Sequence, residues 1–359
     1  MHQTITNIII IKASKDISGG YLHINELAKF WEMDGINVFI GEIEAQYNFN
    51  LINNIKIGLL KIYDVIDKFR LSEEKLQNAD VIISASPYPQ DLFTAIKLSK
   101  FYNKPLICYV HHVVPSVFFH PFKRGFFRVI LNILYNKYLF HLFREYNIGI
   151  FLDHKEFYNK NDIPVFETLC SVEPKELKKE KIYDLYYIGG LSRKKGFYDL
   201  IKALKLLNSK PKVAIIGHIN NKIMIKINKK LKKYNLMQNF TFFGFIDNYK
   251  KEEILNSSKI FISPSYEEGW SLSVMEAAYL GIPIIAYKLI AYNYLKNNYY
   301  SVTPGNVKEL AKTINYLINN IDKSRSKTEN AKNSVRKYNY KDIASQQLIY
   351  INNFINTRK

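Results

Sequence analysis

Short, almost uninterrupted apolar runs, each followed by a stretch long enough for a helix, recur along this 359-residue chain. The first is Asn7-Ile-Ile-Ile-Ile11. A loop with Gly19-Gly20 leads from it into an amphipathic segment carrying Leu22, Leu27, Phe30 and Trp31, which Gly35 stops before Val38-Phe39-Ile40. Further strands are expected at Ile55–Leu60, Asp80–Ser84, Pro105–Val110 and Asn147–Leu152. A second series is expected at Leu185–Ile188, Val213–Ile216, Phe240–Phe243, Ile260–Ser263, Pro283–Ala286 and Tyr300–Val302. Strands of this kind alternating with helices predict α/β folding around parallel, doubly wound sheets. The length exceeds one ordinary core and suits two domains. We place them at residues 1–170 and 183–339. The charged, Pro-broken segment 171–182 links them, and a helix over 340–359 carries Ile343, Leu348, Ile351 and Ile355 at helical spacing.

The most informative stretch runs from Ser263 to Pro283. An apolar strand enters a short polar loop, and the loop enters an apolar helix that Gly281 and Pro283 end. This layout places acidic groups and a helix N-terminus at the carboxyl end of a parallel strand. Open α/β sheets bind ligands there, and a helix N-terminus suits phosphate. Upstream, Gly189-Gly-Leu-Ser-Arg-Lys-Lys-Gly196 forms a Gly-rich, cationic turn between a strand and an amphipathic helix. Such a turn is a plausible diphosphate cradle.

Pro264, Ser265, Glu268, Gly269, Trp270, Leu272, Glu276, Ala277, Gly281 and Pro283 stand in a register that resembles the signature of family 4 retaining glycosyltransferases. The resemblance implies the GT-B fold, two Rossmann-like doubly wound domains facing across a cleft, with the final helix returning to the N-terminal domain. It implies that Glu276 accepts hydrogen bonds from the ribose hydroxyls of a nucleoside-diphosphate sugar. Glu268 would lie by the donor sugar, and the turn Gly269, Trp270, Ser271, Leu272 would aim N–H groups at sugar and diphosphate. Lys195 falls on the family's phosphate-binding lysine. Gly190 stands where the family has Arg, so either Arg193 or Lys194 supplies that charge or the leaving group is held less tightly. Gly19 and Gly20 match the family's entry to its first helix, and His111 matches a histidine that contacts the donor sugar. The catalytic candidates are therefore Glu268, His111 and Lys195. The donor-binding candidates are Glu276, Arg193, Lys195, Gly19, Gly20, Gly269, Trp270, Ser271 and Leu272.

Plainer readings exist for several of these residues. Ser273-Val-Met-Glu276 is also a capping-box pattern, in which Glu276 would reach back to a backbone N–H. Glu267 and Glu268 stand side by side, so one of the two reads as a solvated loop charge, and register to Gly269 selects Glu268 for the site. A lone histidine is more often a packing or surface residue than a catalyst.

No Asp-x-Asp strand end and no clustered Cys/His spacing argues for a metal, so no cofactor is expected beyond the donor substrate. The formal net charge of +19 fits a nucleic acid, an anionic membrane or a phosphorylated small molecule, and equally a lysine-rich composition spread over both halves. No basic stripe or motif singles out nucleic acid, and no Gly-x-Gly-x-x-Gly follows the first strand as in a dehydrogenase. The aromatic, basic segment Phe118–Phe143 reads as a core helix with a basic solvent face, or as an interfacial surface meeting a lipid-linked acceptor. Two cysteines, Cys108 and Cys170, no recognisable leader before Asn7 and no window of ~20 apolar residues predict a cytoplasmic protein, peripheral at the inner membrane face on the interfacial reading. The expected partners are a nucleotide-sugar donor and a glycan, lipid-linked or small-molecule acceptor. An epimerase or phosphorylase on the same fold, or a basic nucleic-acid-binding protein, are the alternatives.

Overall fold

A computed structural model describes residues 4–12, 19–42, 71–111, 126–153, 158 and 162–358, with the backbone alone for Gly19 and 126–133. The expected strand Ile55–Leu60 and residues 118–125 of the aromatic segment lie outside the described residues. The chain forms two compact units. The breaks fall after Cys170 and after Lys337, so the segment from Tyr338 onward belongs to the first unit.

The first unit holds a six-stranded parallel sheet. Its strands are β1 (Asn7–Lys12), β2 (Asn37–Glu42), β3 (Val81–Ser84), β4 (Leu106–Val110), β5 (Gly149–Leu152) and β6 (Val165–Glu167), in the order β2-β1-β3-β4-β5-β6. The unbroken isoleucine run of β1 is explained by burial on both faces. Ile9 and Ile11 pack with Leu92 and Leu142 on one side, and Ile8 and Ile10 with Ile24 and Trp31 on the other. Helices α1 (Gly19–Met33), α2 (Glu73–Asn78), α3 (Pro89–Tyr102) and α4 (Phe126–Glu145) connect the strands. The terminal helix α11 (Tyr340–Asn356) lies against α1. There the Trp31 indole donates to the Ala344 carbonyl at 3.1 Å, and Gln347 joins Tyr109 and Thr168 in a buried network.

Some details differ from expectation. The strand expected at Asp80 begins at Val81, because the Asp80 carboxylate accepts from the amides of Thr6 and Asn7. The strand expected at Asn147 begins at Gly149, because Asn147 takes a left-handed turn (φ 47°) after α4. β6 is an edge strand of three residues, too short for its periodicity to be read from sequence.

The second unit repeats the scheme: β7 (Tyr183–Ile188), β8 (Val213–Ile216), β9 (Phe240–Gly244), β10 (Ser258–Ser263), β11 (Ile284–Tyr287) and β12 (Tyr300–Val302), all parallel, in the order β12-β11-β10-β7-β8-β9. Helices α5 (Phe197–Lys205), α6 (Asn221–Lys233), α7 (Asn248–Asn256), α8 (Leu272–Tyr279), α9 (Val307–Asn319) and α10 (Arg325–Arg336) flank it. From β7 the chain winds outward through β8 to β9, then returns to β10 on the other side of β7 and continues to β12. The direction reverses between β7 and β10, and a crevice at such a reversal is where doubly wound sheets place ligands.

Candidate donor-binding site

The loops leaving β7 and β10 are the two singled out in the sequence, and the reversal brings them together. Lys195 Nζ donates to both carboxylate oxygens of Glu268, at 2.7 and 2.8 Å. Beside this pair, Lys194 binds Glu267 at 2.9 Å, and the Tyr266 amide donates to the Lys194 carbonyl at 2.9 Å. Glu267 is thus not the solvated charge expected of it. It is 4 % exposed, because the β7 loop covers it and Lys194 supplies its cation.

Gly196 seats the two loops on each other. Its φ is +67°, and a Cβ built there would lie 1.7 Å from the Pro264 carbonyl oxygen. Only glycine gives both the left-handed turn and that closeness. The Tyr187 hydroxyl donates to the Gly190 carbonyl at 2.9 Å and bonds the Lys195 carbonyl at 3.3 Å, fixing the loop from beneath. Gly190 faces open space, so an arginine at that position would meet nothing within 4 Å of its Cβ.

Helix α8 starts at Leu272 from Ser271, whose φ of 56° is left-handed. The first-turn N–H groups of a helix have no partner within it and carry the positive end of its dipole. Because the helix starts there, Ser273 is not its N-cap and the capping-box reading of Glu276 fails. Instead Glu276 accepts from Lys251 Nζ at 2.6 Å. Burial raises the Glu276 carboxyl above its usual range, and the Lys251 ammonium opposes the shift. Trp270 is packed inward, its ring stacked on Tyr294 at 5.1 Å and its indole N–H on Met275 Sδ, so that side chain forms the floor of the turn. Arg193 is exposed and lines a groove with α5 and α6, while Lys195 reaches Glu268.

Sequence reasoning missed Lys251, Lys194 as a partner and Asp199. Lys251 lies 25 residues before Glu276 on another helix, a separation no local motif marks. Asp199, 4 % exposed, accepts from the hydroxyls of Tyr266 and Tyr287, tying α5 to the β10 loop.

The remaining candidates sit in the first unit, at the carboxyl ends of β1 and β4. His111 Nε2 lies 3.2 Å from the Ala85 carbonyl, and a Cβ on Gly20 would fall 2.5 Å from the His111 ring. Gly20 therefore gives His111 its room. Asp153 lies 3.9 Å from His111 Nδ1, and its burial pushes that carboxyl well above the usual range. Burial also lowers His111 to about 4 and His23 to about 3, with His111 adding to the second shift.

These imidazoles make the first unit acid-sensitive. The unfolded chain takes up their protons near 6.5, whereas the folded chain does so only near 4 and 3. Their contribution to stability is whole above about pH 6.5 and is lost as pH falls from there toward 4 for His111 and 3 for His23. Urea midpoints should drop over this window, and His23→Gln should flatten the drop by one proton's worth. An unchanged slope in that variant would contradict the assignment.

No group of three or more His, Cys, Asp or Glu side chains among the described residues is placed to hold a metal. No helix among them is long and apolar enough to cross a membrane.

Residues 171–334 match the model of the family Glycosyl transferases group 1. Over 130 residues the chain is 27 % identical to the putative teichuronic acid biosynthesis glycosyltransferase TuaC of Bacillus subtilis, covering 36 % of this chain and 31 % of that one. The matches span about a third of the length of the curated relatives. Across the whole fold the chain resembles Anabaena Alr3699/HepE, solved with UDP and glucose (TM-score 0.71, 15 % identity, 96 % of this chain and 99 % of that one). It also resembles the sucrose-phosphate synthase of Thermosynechococcus elongatus (TM-score 0.73, 14 % identity, 95 % and 97 %). The fold is GT-B, with two Rossmann-like α/β units, and the stretch that matches the group 1 glycosyltransferase model holds the second unit's site loops.

Proposed function

We propose that the chain transfers a hexose-type sugar from a nucleoside-diphosphate donor to a glycan, lipid-linked or small-molecule acceptor, with retention at the anomeric carbon and without a metal ion. The observation that carries this reading is the Lys195–Glu268 pair, which joins the β7 and β10 loops beside the α8 N-terminus within the stretch that matches the group 1 model. In this reading Glu276 takes the ribose hydroxyls, since a carboxylate can accept two neighbouring hydroxyls with charge-assisted bonds. Lys195, Arg193 and the N–H groups of Gly269 to Leu272 face the diphosphate. His111, Gly19 and Gly20 keep the donor-side roles that the resemblance implies for them.

As the bond from the anomeric carbon to the β-phosphate oxygen breaks, its electron pair passes to the diphosphate. The acceptor hydroxyl bonds to that carbon, and its proton passes to the departing diphosphate. Charge grows on the leaving diphosphate, and pre-aimed cations and N–H dipoles stabilise it at no reorganisation cost during the reaction. The action is placed in the cytoplasm, at the inner membrane face where the acceptor is lipid-linked.

UDP and UDP-hexoses are the first donors to test, because HepE is a structural neighbour solved with UDP and with UDP-glucose. Glu276→Gln is expected to weaken UDP binding at least tenfold, with the circular-dichroism melt unchanged or slightly raised, since the buried carboxyl's pKa is raised. Wild-type affinity should fall on acidification at a higher pH than an ordinary carboxylate would give, because the bonding form is the anion. Conversely, this carboxyl's share of stability is greatest when protonated and declines as pH rises through its raised pKa. Equal UDP affinity in the two proteins would remove Glu276 from the donor site. Product analysis with and without acceptor separates transfer from epimerisation or phosphorolysis.

A further inference from the structure

A groove of about 880 Å³ runs between α5 and α6 of the second unit, outside the Lys195–Glu268 site and continuous with its loop. Leu191, Tyr198 and Ile223 line its apolar part, and six cations surround it: Arg193, Lys202, Lys226, Lys229, Lys230 and Lys233. Its one acid, Asp199, is 4 % exposed, accepts from the hydroxyls of Tyr266 and Tyr287, and pairs with Lys202 at 3.6 Å.

The lysines of α6 are placed at a cost. The helix reads NKIMIKINKKLKK, with six lysines and no acid. Lys226 and Lys230, and Lys229 and Lys233, stand at i and i+4, where like charges destabilise a helix. Elsewhere in the unit some surface lysines are paired, as Lys179 with Glu253 and Lys259 with Asp184. Arg193, Lys226, Lys229, Lys230 and Lys233 have no carboxylate at ion-pair distance among the described residues. A merely solvated face would not need its charges gathered on one concave surface.

We propose that this groove binds an anionic oligosaccharide, a segment of the glycan that the enzyme extends or modifies, through acidic groups repeated along the saccharide chain. The inference rests on the glycosyltransferase reading above. Lys226, Lys229 or Lys230, and Lys233 follow one another along about two helical turns, roughly 10 Å at 1.5 Å per residue. That spacing suits charges on successive sugar units, and the volume lies in the range of clefts that hold small ligands, about 300–1,000 Å³. Ser192 and Arg193 belong both to this groove and to the β7 loop, so a chain held here lies beside the donor-binding loop. Concave walls with an apolar floor favour a flexible saccharide over a flat lipid surface.

The test uses the full chain and fluorescently labelled probes: a hexagalacturonate for carboxylate groups and a glycerol-phosphate hexamer for phosphodiesters. Binding to at least one is expected to weaken with salt. It should also weaken at least tenfold when Lys226→Gln, Lys229→Gln, Lys230→Gln and Lys233→Gln are combined, with UDP affinity unchanged. Lys202→Gln with Lys226→Gln, a milder change, should give a smaller loss and serves if the fourfold variant melts early. The probe that binds tells which acidic group is read. Failure of both probes to bind the wild type, or variant binding within twofold of it, would overturn the proposal. So would loss of UDP binding in the fourfold variant, since the groove would then belong to the donor site. Tighter wild-type binding to single-stranded DNA of equal charge, or to phosphatidylglycerol vesicles, would overturn it as well. A wild type that binds an oligosaccharide through these lysines but no nucleotide would sink the donor reading and leave the groove standing.

Discussion

Lys195→Ala is expected to slow sugar transfer by about 10²- to 10³-fold, the scale on which removing one preorganised charge stabiliser acts. The side chain is one-third exposed and holds both oxygens of Glu268, whose own side chain is 13 % exposed. In the proposed reaction the ammonium meets the departing diphosphate, so its loss is felt mainly when charge develops. Stability should suffer less. Removing the partner of a half-buried carboxylate costs roughly 1–3 kcal/mol, a few degrees of melting temperature in a unit of this size. The double variant Lys195→Ala with Glu268→Gln separates the two effects: stability should recover, because no orphaned charge remains, and turnover should not. Steady-state rates with a UDP-hexose and calorimetric melts on the three proteins decide it. Turnover of Lys195→Ala within threefold of wild type would mean that the diphosphate is held elsewhere.

Gly196→Ala should do the opposite, harming the fold first and the chemistry through it. A Cβ at this residue would lie 1.7 Å from the Pro264 oxygen and 2.6 Å from its carbonyl carbon. Both are backbone atoms, so no side chain can swing aside. The left-handed φ of 67° adds its own penalty to any residue but glycine. Overpacking of this kind costs about 1–3 kcal/mol and more where backbone must move, so a loss of roughly 3 kcal/mol is expected, or about 6–12 °C. The relief is for the β7 and β10 loops to part, which carries Lys195 away from Glu268 and should abolish UDP binding. Gly190→Ala is the control. Nothing lies within 4 Å of its Cβ, and its melting temperature should stay near wild type. Equal melting losses at the two glycines would contradict this account of the loop contact.

Much of the fold was legible because burial on both faces of a parallel sheet writes an unbroken apolar run. Ile8 to Ile11 and Ile260 to Ile262 are such runs, and both are strands. The loop from Ser263 to Ser271 was legible because the left-handed turns, close approaches and helix start it needs restrict residue type. What the sequence did not expose is whatever depends on which strand lies beside which. Lys195 and Glu268 are 73 residues apart and meet because β7 and β10 are neighbours across the reversal of winding. Glu267 looked like a solvated charge because Lys194, which buries it, arrives by the same long route. Lys251 reaches Glu276 from the helix before β10, and no spacing announces it. The role of Gly20 in admitting the His111 ring was hidden for the same reason, since the two follow different strands.

Hydrogen–deuterium exchange with and without saturating UDP tests the central claim most directly, because it reads both loops of the second unit in one experiment. Slowed exchange is expected in peptides covering residues 189–197 and, together with them, 268–277. Protection confined to one of these stretches, or falling on neither while UDP is bound, would contradict it.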